Sequence, residues 1–208
     1  MKTSEGYIKF NCVWENKDIS FLDDEFLYLN GWRNHFFRLN LIGAYPNGIG
    51  YGNISIRYQK TNSFIISGSS TGHISSLSRQ DYSLVSGYDF KKNVLFCTGK
   101  VKASSESLSH AAIYESGTNI NAVIHIHHQK LYTKLKGRID TTNDEVEYGT
   151  SEMAEEIKRI ISKYKHIHRG IIAMGGHKAG LLAYGASLDI AGCLLLDKFK
   201  ICNIKLQR

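Results

Sequence analysis

The segment Ala122-Val123-Ile124-His125-Ile126-His127-His128 sets two histidines one residue apart inside an apolar run. Apolar neighbours on both sides mark a buried strand, and a buried imidazole needs partners for its ring nitrogens. Strand side chains alternate between faces, so His125 and His127 point the same way with Cα atoms roughly 6–7 Å apart. Two imidazole nitrogens so spaced can meet one ion at about 2.0–2.1 Å. His128 falls on the opposite face if the strand continues. Hydrogen-bonded core histidines would leave the same pattern, so the pair alone leaves metal and packing both open. His177 sits in Met174-Gly175-Gly176-His177-Lys178-Ala179-Gly180, where a strand gives way to a glycine-rich turn that lets backbone approach a site closely. It either completes a three-histidine set or stands exposed in its loop. Glu106 follows Ser104-Ser105 at a helix start, where the helix dipole favours a carboxylate whatever its role. His110 and Tyr114 share its helix face, and core packing is the simpler reading of both.

Two clusters of small polar residues could take an oxyanion. One combines Gly52-Asn53-Ile54-Ser55 with Gly68-Ser69-Ser70-Thr71-Gly72, and the other is Ser104-Ser105 at a helix N-terminus. Hydroxyls, free backbone N–H groups and a positive helix end are what such a group requires. Neither is a P-loop, and ordinary turns use the same residues.

Elements to hold these residues are legible in the spacing of apolar positions. A helix is predicted from about Phe21 to Leu41, closed by Gly43. Strands follow at Asn53–Tyr58, Ser63–Ser67, Tyr82–Gly87 and Asn93–Cys97. Ser104 or Ser105 should cap a helix that runs to Glu115 and stops at Gly117. Next come a strand at Asn121–His127, a helix at Thr150–Tyr164, strands near Gly170–Met174 and Gly180–Tyr184, and a last helix capped by Ser187. Strands mixed with helices, without regular βαβ alternation, predict an α/β chain of the α+β type. Its central sheet should be mostly antiparallel and layered by α-helices.

At 208 residues the chain suits a single domain spanning 1–208. A hydrophobic fraction of 42% with 22% charged residues excludes global disorder. No apolar run reaches the roughly 18–20 residues of a membrane span, and the N-terminal residues lack the pattern of a secretory signal, so a cytoplasmic protein is expected. Cys12, Cys97, Cys193 and Cys202 lie far apart in sequence without a C-x-x-C pair, which argues for reduced, packed thiols over a cysteine zinc site. The net charge of +7 is spread along the chain with no dense basic stripe, so nucleic acid is not the expected partner.

Taken together and in this order, the segments Gly52 to Arg57, Ser70-Thr71-Gly72, Ser104-Ser105-Glu106 with His110 and Tyr114, Ala122 to His127, and Gly176-His177 before Gly185 to Asp189 resemble the class II aldolase/adducin family. The resemblance covers about Phe26 to the C-terminus. It implies a largely antiparallel sheet layered by helices, assembled as a homotetramer with sites at subunit interfaces. It also implies a metal-dependent lyase of the aldolase type, acting on a small phosphorylated hydroxy-carbonyl molecule. By this resemblance His125, His127 and His177 would hold Zn²⁺, or Mn²⁺, Co²⁺ or Fe²⁺. Glu106 would be a fourth ligand, the proton-transfer group, or both. Phosphate contacts would fall on Asn53, Thr71, Gly72, Ser104 and Ser105. Sugar-phosphate epimerases, a dehydratase and the non-catalytic adducin domain share the fold. The sugar-phosphate aldolases carry a tyrosine acid on a longer segment after the H-x-H strand; this chain departs from that pattern, and Tyr132 and Tyr148 are candidates for it by proximity alone.

Overall fold

The computed structural model describes residues 6–164 and 168–206. β1 (Asn11–Glu15) precedes α1 (Asp23–Arg38), the short pair β2 (Gly43–Ala44) and β3 (Gly50–Tyr51), and the strands β4 (Asn53–Arg57), β5 (Phe64–Ser67), β6 (Tyr82–Asp89) and β7 (Val94–Gly99). α2 (Ser107–Glu115), β8 (Ala122–His127), α3 (Gln129–Leu135), α4 (Ser151–Ser162), β9 (Gly170–Ala173), β10 (Gly180–Gly185) and α5 (Leu188–Ile201) complete the chain. Among the described residues no helix is long and apolar enough to cross a membrane.

Eight strands form the main sheet in the order β1-β7-β6-β5-β4-β8-β10-β9. The sheet is mixed, which corrects the expectation of a mostly antiparallel one. β1 lies parallel to β7, with Asn11 opposite Val94 and Glu15 opposite Thr98. A parallel neighbour requires a long crossover, and here everything from α1 to β6 lies between the two strands. Through this pairing Cys12 and Cys97, distant in sequence, reach an Sγ–Sγ separation of 3.6 Å. All four cysteines are free, and Cys193 is exposed where packing was expected.

Period-two alternation separates two cores. On one face Val123 of β8, Phe64 and Ile66 of β5 and Leu182 of β10 pack under α2 and α4. On the other, Ile124 and Ile126, Ile54 and Ile56, and Leu181 pack under α1, α3 and α5. Because Ile54 and Ile56 face the second core, Asn53 and Ser55 face the first, level with His125 in the register of β4 on β8. The polar strip therefore lies within the α2/α4 layer. A neutral network seals its inner end, where Ser55 Oγ meets both His110 Nδ1 and Tyr114 Oη at 2.7 Å.

Helix ends follow capping chemistry, with one correction. Thr150 and Ser187 cap α4 and α5 by accepting from Met153 N and Ile190 N at 3.2 Å. At α2 the cap position belongs to Glu106 and not to Ser104 or Ser105. Ser104 is drawn into the turn before the helix, its Oγ accepting from Glu106 N at 3.3 Å while its carbonyl takes the Ser107 hydroxyl. Strand β8 stops at His127, and His128 turns to cap α3 by accepting from Leu131 N at 3.1 Å.

Candidate metal centre

β8 delivers His125 and His127 from its α2/α4 face, and both imidazoles are buried. Gly180 of β10 stands opposite His127 in the register. Any side chain there would collide, since an added Cβ would lie 3.0 Å from His177 O and 3.1 Å from His125 Cε1. His177 arrives on the turn between β9 and β10. The turn is pinned by His177 N to Met174 O (3.1 Å), Gly180 N to His177 O (2.9 Å) and Gly175 N to Thr142 Oγ1 (2.9 Å). Tyr132 supports it from behind, donating to Met174 O at 3.2 Å.

The three Nε2 atoms converge, with separations of 3.2 Å (His125–His177), 3.0 Å (His127–His125) and 2.9 Å (His127–His177). A neutral imidazole nitrogen either donates or accepts, so three cannot all bond to one another around a triangle. Ligands at about 2.0–2.1 Å in tetrahedral array would stand roughly 3.3 Å apart, close to the spacing found. The outer nitrogens are also occupied. His125 Nδ1 donates to Leu181 O at 3.2 Å, which leaves Nε2 as the lone-pair nitrogen, and His127 Nδ1 lies 2.7 Å from Tyr45 Oη. Second partners of this kind set the tautomer and ring angle of metal-binding histidines. The residues present fit a divalent cation.

Glu106 stands beside the cluster, 3% exposed, with Oε1 3.4 Å from His177 Nε2 and Oε2 accepting from Ser109 Oγ at 2.9 Å. The small polar residues picked out in the sequence also meet. Asn53, Thr71, Gly72, Ser104 and Ser105 line one cavity of about 290 Å³ that reaches Glu106 and His125. The Thr71 hydroxyl is turned inward to Gly68 O at 2.8 Å, so that residue offers backbone rather than its side chain. Of the two tyrosines, Tyr148 is the one at the cluster, its ring centroid 4.4 Å from that of His177.

Sequence reasoning missed three contributors. Tyr45 on His127, Arg33 beneath Thr71 and Gly72, and the Gly6-Tyr7 wall of the cavity carry no local motif. Only the fold brings them in.

Burial holds the imidazoles neutral. It pushes His125 down to about 4 and His110 well below the usual histidine range. His127 is lowered by burial and by His125, and His177 by burial and then by His127, His125 and Lys9. Neutral imidazole is the ligand form. The folded state therefore binds fewer protons than the unfolded chain, so its stability is complete above about pH 6.5 and declines as pH falls towards about 4. For His125 alone the loss is on the order of 3 kcal/mol. In chelator-treated protein the melting temperature should fall steadily between pH 7 and pH 4, and a flat profile would contradict the buried neutral cluster.

Comparison with known proteins bears on the same residues. The model of the class II aldolase and adducin N-terminal domain matches residues 47–196, a span holding all three histidines and Glu106. The fold is similar to L-fuculose-1-phosphate aldolase from Thermus thermophilus, with 17% identity, a TM-score of 0.60, and 86% of this chain and 90% of that one covered. It is also similar to YgbL from Klebsiella pneumoniae, for which aldolase, epimerase and decarboxylase activities all stand open (15%, TM-score 0.64, 88% and 89% covered). A sugar-phosphate aldolase from Thermotoga maritima is a third such structure (13%, TM-score 0.55, 83% and 92% covered). Comparison with curated protein sequences finds no match. With the matched span enclosing both the β8 histidines and the loop that brings His177 to them, the chain belongs to the class II aldolase and adducin N-terminal domain family.

Proposed function

We propose that the chain is a metal-dependent carbon–carbon lyase of the aldolase type, acting on a small phosphorylated hydroxy-carbonyl compound. The observation that carries this reading is the convergence of three buried Nε2 atoms within 3.2 Å of one another, beside Glu106 and at the edge of a cavity lined by small polar residues. A scaffold domain has no need to keep three histidines and a carboxylate converging on one point. Zn²⁺ is the ion we assign, with Mn²⁺, Co²⁺ and Fe²⁺ as the divalent alternatives suited to imidazole.

When bound, the ion supplies Lewis-acid polarisation of the substrate's carbonyl and adjacent hydroxyl oxygens, a contribution of several kcal/mol. His125, His127 and His177 hold it by Nε2. Glu106 moves the proton through Oε1, the oxygen on the histidine side, while Ser109 fixes Oε2 and so the plane of the carboxylate. Tyr148 packs on His177 and shields that ring from water. Asn53, Gly72, Ser104 and Ser105 receive the phosphate end, and Thr71 contributes through its backbone.

The test is product analysis. Metal-loaded protein is incubated with a panel of ketose 1-phosphates and pentulose 5-phosphates and followed by proton and phosphorus NMR. Cleavage between C3 and C4 of a ketose 1-phosphate, giving dihydroxyacetone phosphate and an aldehyde, is the expected result. Inversion at a carbinol carbon or loss of water would instead assign an epimerase or dehydratase to the same site. No turnover of any member would sink the reading.

A further inference from the structure

The cavity proposed for the phosphate has no lysine or arginine side chain among its described lining residues. A phosphate dianion buried there needs positive charge from somewhere, because desolvating an unpaired anion is expensive. One cation lies just beneath the wall. Arg33 of α1 is 1% exposed and makes no ion pair among the described residues. The acid whose field reaches it, Asp81, is held by Ser78 N and Oγ at 2.7 and 2.8 Å. Arg33 Nη2 donates to Thr71 O at 3.1 Å and Gly72 O at 3.4 Å, and Nη1 donates to Ser75 O at 3.1 Å.

The peptide bond carries that charge to the cavity. Across a trans peptide the carbonyl and the following N–H point in opposite directions. With the Thr71 and Gly72 carbonyls turned down onto the guanidinium, the N–H groups of Gly72 and His73 are aimed away from it. Gly72 N–H has no acceptor among the described residues, and the residue must be glycine because a Cβ would overlap Gly43 O. Arg57 is a useful contrast. It is another buried guanidinium bonded to carbonyls, but those belong to Ile120, Thr61, Tyr114 and Gly117, none of which lines the cavity.

We propose that Arg33 is the positioning residue that makes this end of the cavity an anion site, holding the Thr71–Gly72 peptide so that the Gly72 N–H and its own charge face a phosphate. This rests on the sugar-phosphate reading above. The test compares affinities of the full metal-loaded chain for dihydroxyacetone phosphate and for phosphate-free dihydroxyacetone, by titration calorimetry. Arg33→Gln keeps donors and loses the charge, and it should weaken the phosphate ester by about tenfold or more while the neutral ligand changes by less than about twofold. Arg33→Lys keeps the charge with fewer donors and should recover most of the preference. Equal losses for both ligands would mean a loop support only and overturn the proposal, as would no change in either. Should Arg33→Gln fail to fold, collapse of the preference in Arg33→Lys overturns it and retention supports it. Wild-type protein that binds the two ligands equally would overturn the phosphate reading and this role with it. Wild-type preference that survives in Arg33→Gln would overturn this role alone.

Discussion

His127→Ala loses its metal: after purification in metal-replete medium and dialysis, elemental analysis should find near-zero occupancy where the wild type holds about one ion per chain. Three protein ligands are the usual set for a site that keeps a position open to substrate. Two imidazoles and one neighbouring carboxylate would have to close the coordination from fixed positions. His125 is held by Leu181 O and by the sheet register, and His177 by its pinned turn, so neither can move into the gap. The empty volume would lie in a wall that includes the Tyr45 and Tyr51 rings, the latter with its centroid 5.6 Å from that of His127. His128→Ala is the control. That ring faces Phe199 at 4.8 Å between centroids, away from the cluster, so the variant should keep its metal even if helix α3 frays. Full occupancy in His127→Ala would remove the basis for the proposed chemistry.

Glu106→Gln should separate binding from turnover. The amide has the size of the carboxylate and can still accept the Ser109 hydroxyl, so the wall of the cavity and the metal content should persist. What disappears is a group able to take up a proton. An acid–base contribution is worth about 10²–10⁴-fold, and kcat on the substrate selected by product analysis should fall by that factor. The carboxylate's distance of 3.4 Å from His177 Nε2 puts it close enough to act as a ligand too. Loss of metal together with turnover would assign that second role. A variant with kcat within about tenfold of wild type would end the proton-transfer assignment.

Much of this site could be read from the chain because its parts obey local rules. An H-x-H pair in an apolar strand must present both rings to one face, and glycines around His177 mark a backbone that comes close to something. The small polar clusters were legible as types but ambiguous as a place, since only the pairing of β4 with β8 sets Asn53 level with His125. Arg33 was illegible for a different reason. On an amphipathic helix a lone arginine between Trp32 and Phe36 reads as solvent-facing, and nothing local says that the loop around Thr71 will fold over it. Element α3 was missed because its cap is a histidine rather than serine, threonine or aspartate. β2 and β3 span only two residues each, too few for any periodic signal. Strand β1 and its parallel pairing depend on a partner far along the chain, beyond the reach of any periodicity.

That last pairing bears on how the polypeptide is made. Trp14 lies opposite Cys97, 83 positions later in sequence, so on the ribosome the first strand must wait for the seventh. At about 5–20 residues per second the delay is roughly 4–17 s. For that time its backbone donors and acceptors are a ready template for neighbouring nascent chains. Asn11 and Glu15, exposed at either end of the strand, are the polar residues best placed to discourage such contacts until β7 has emerged.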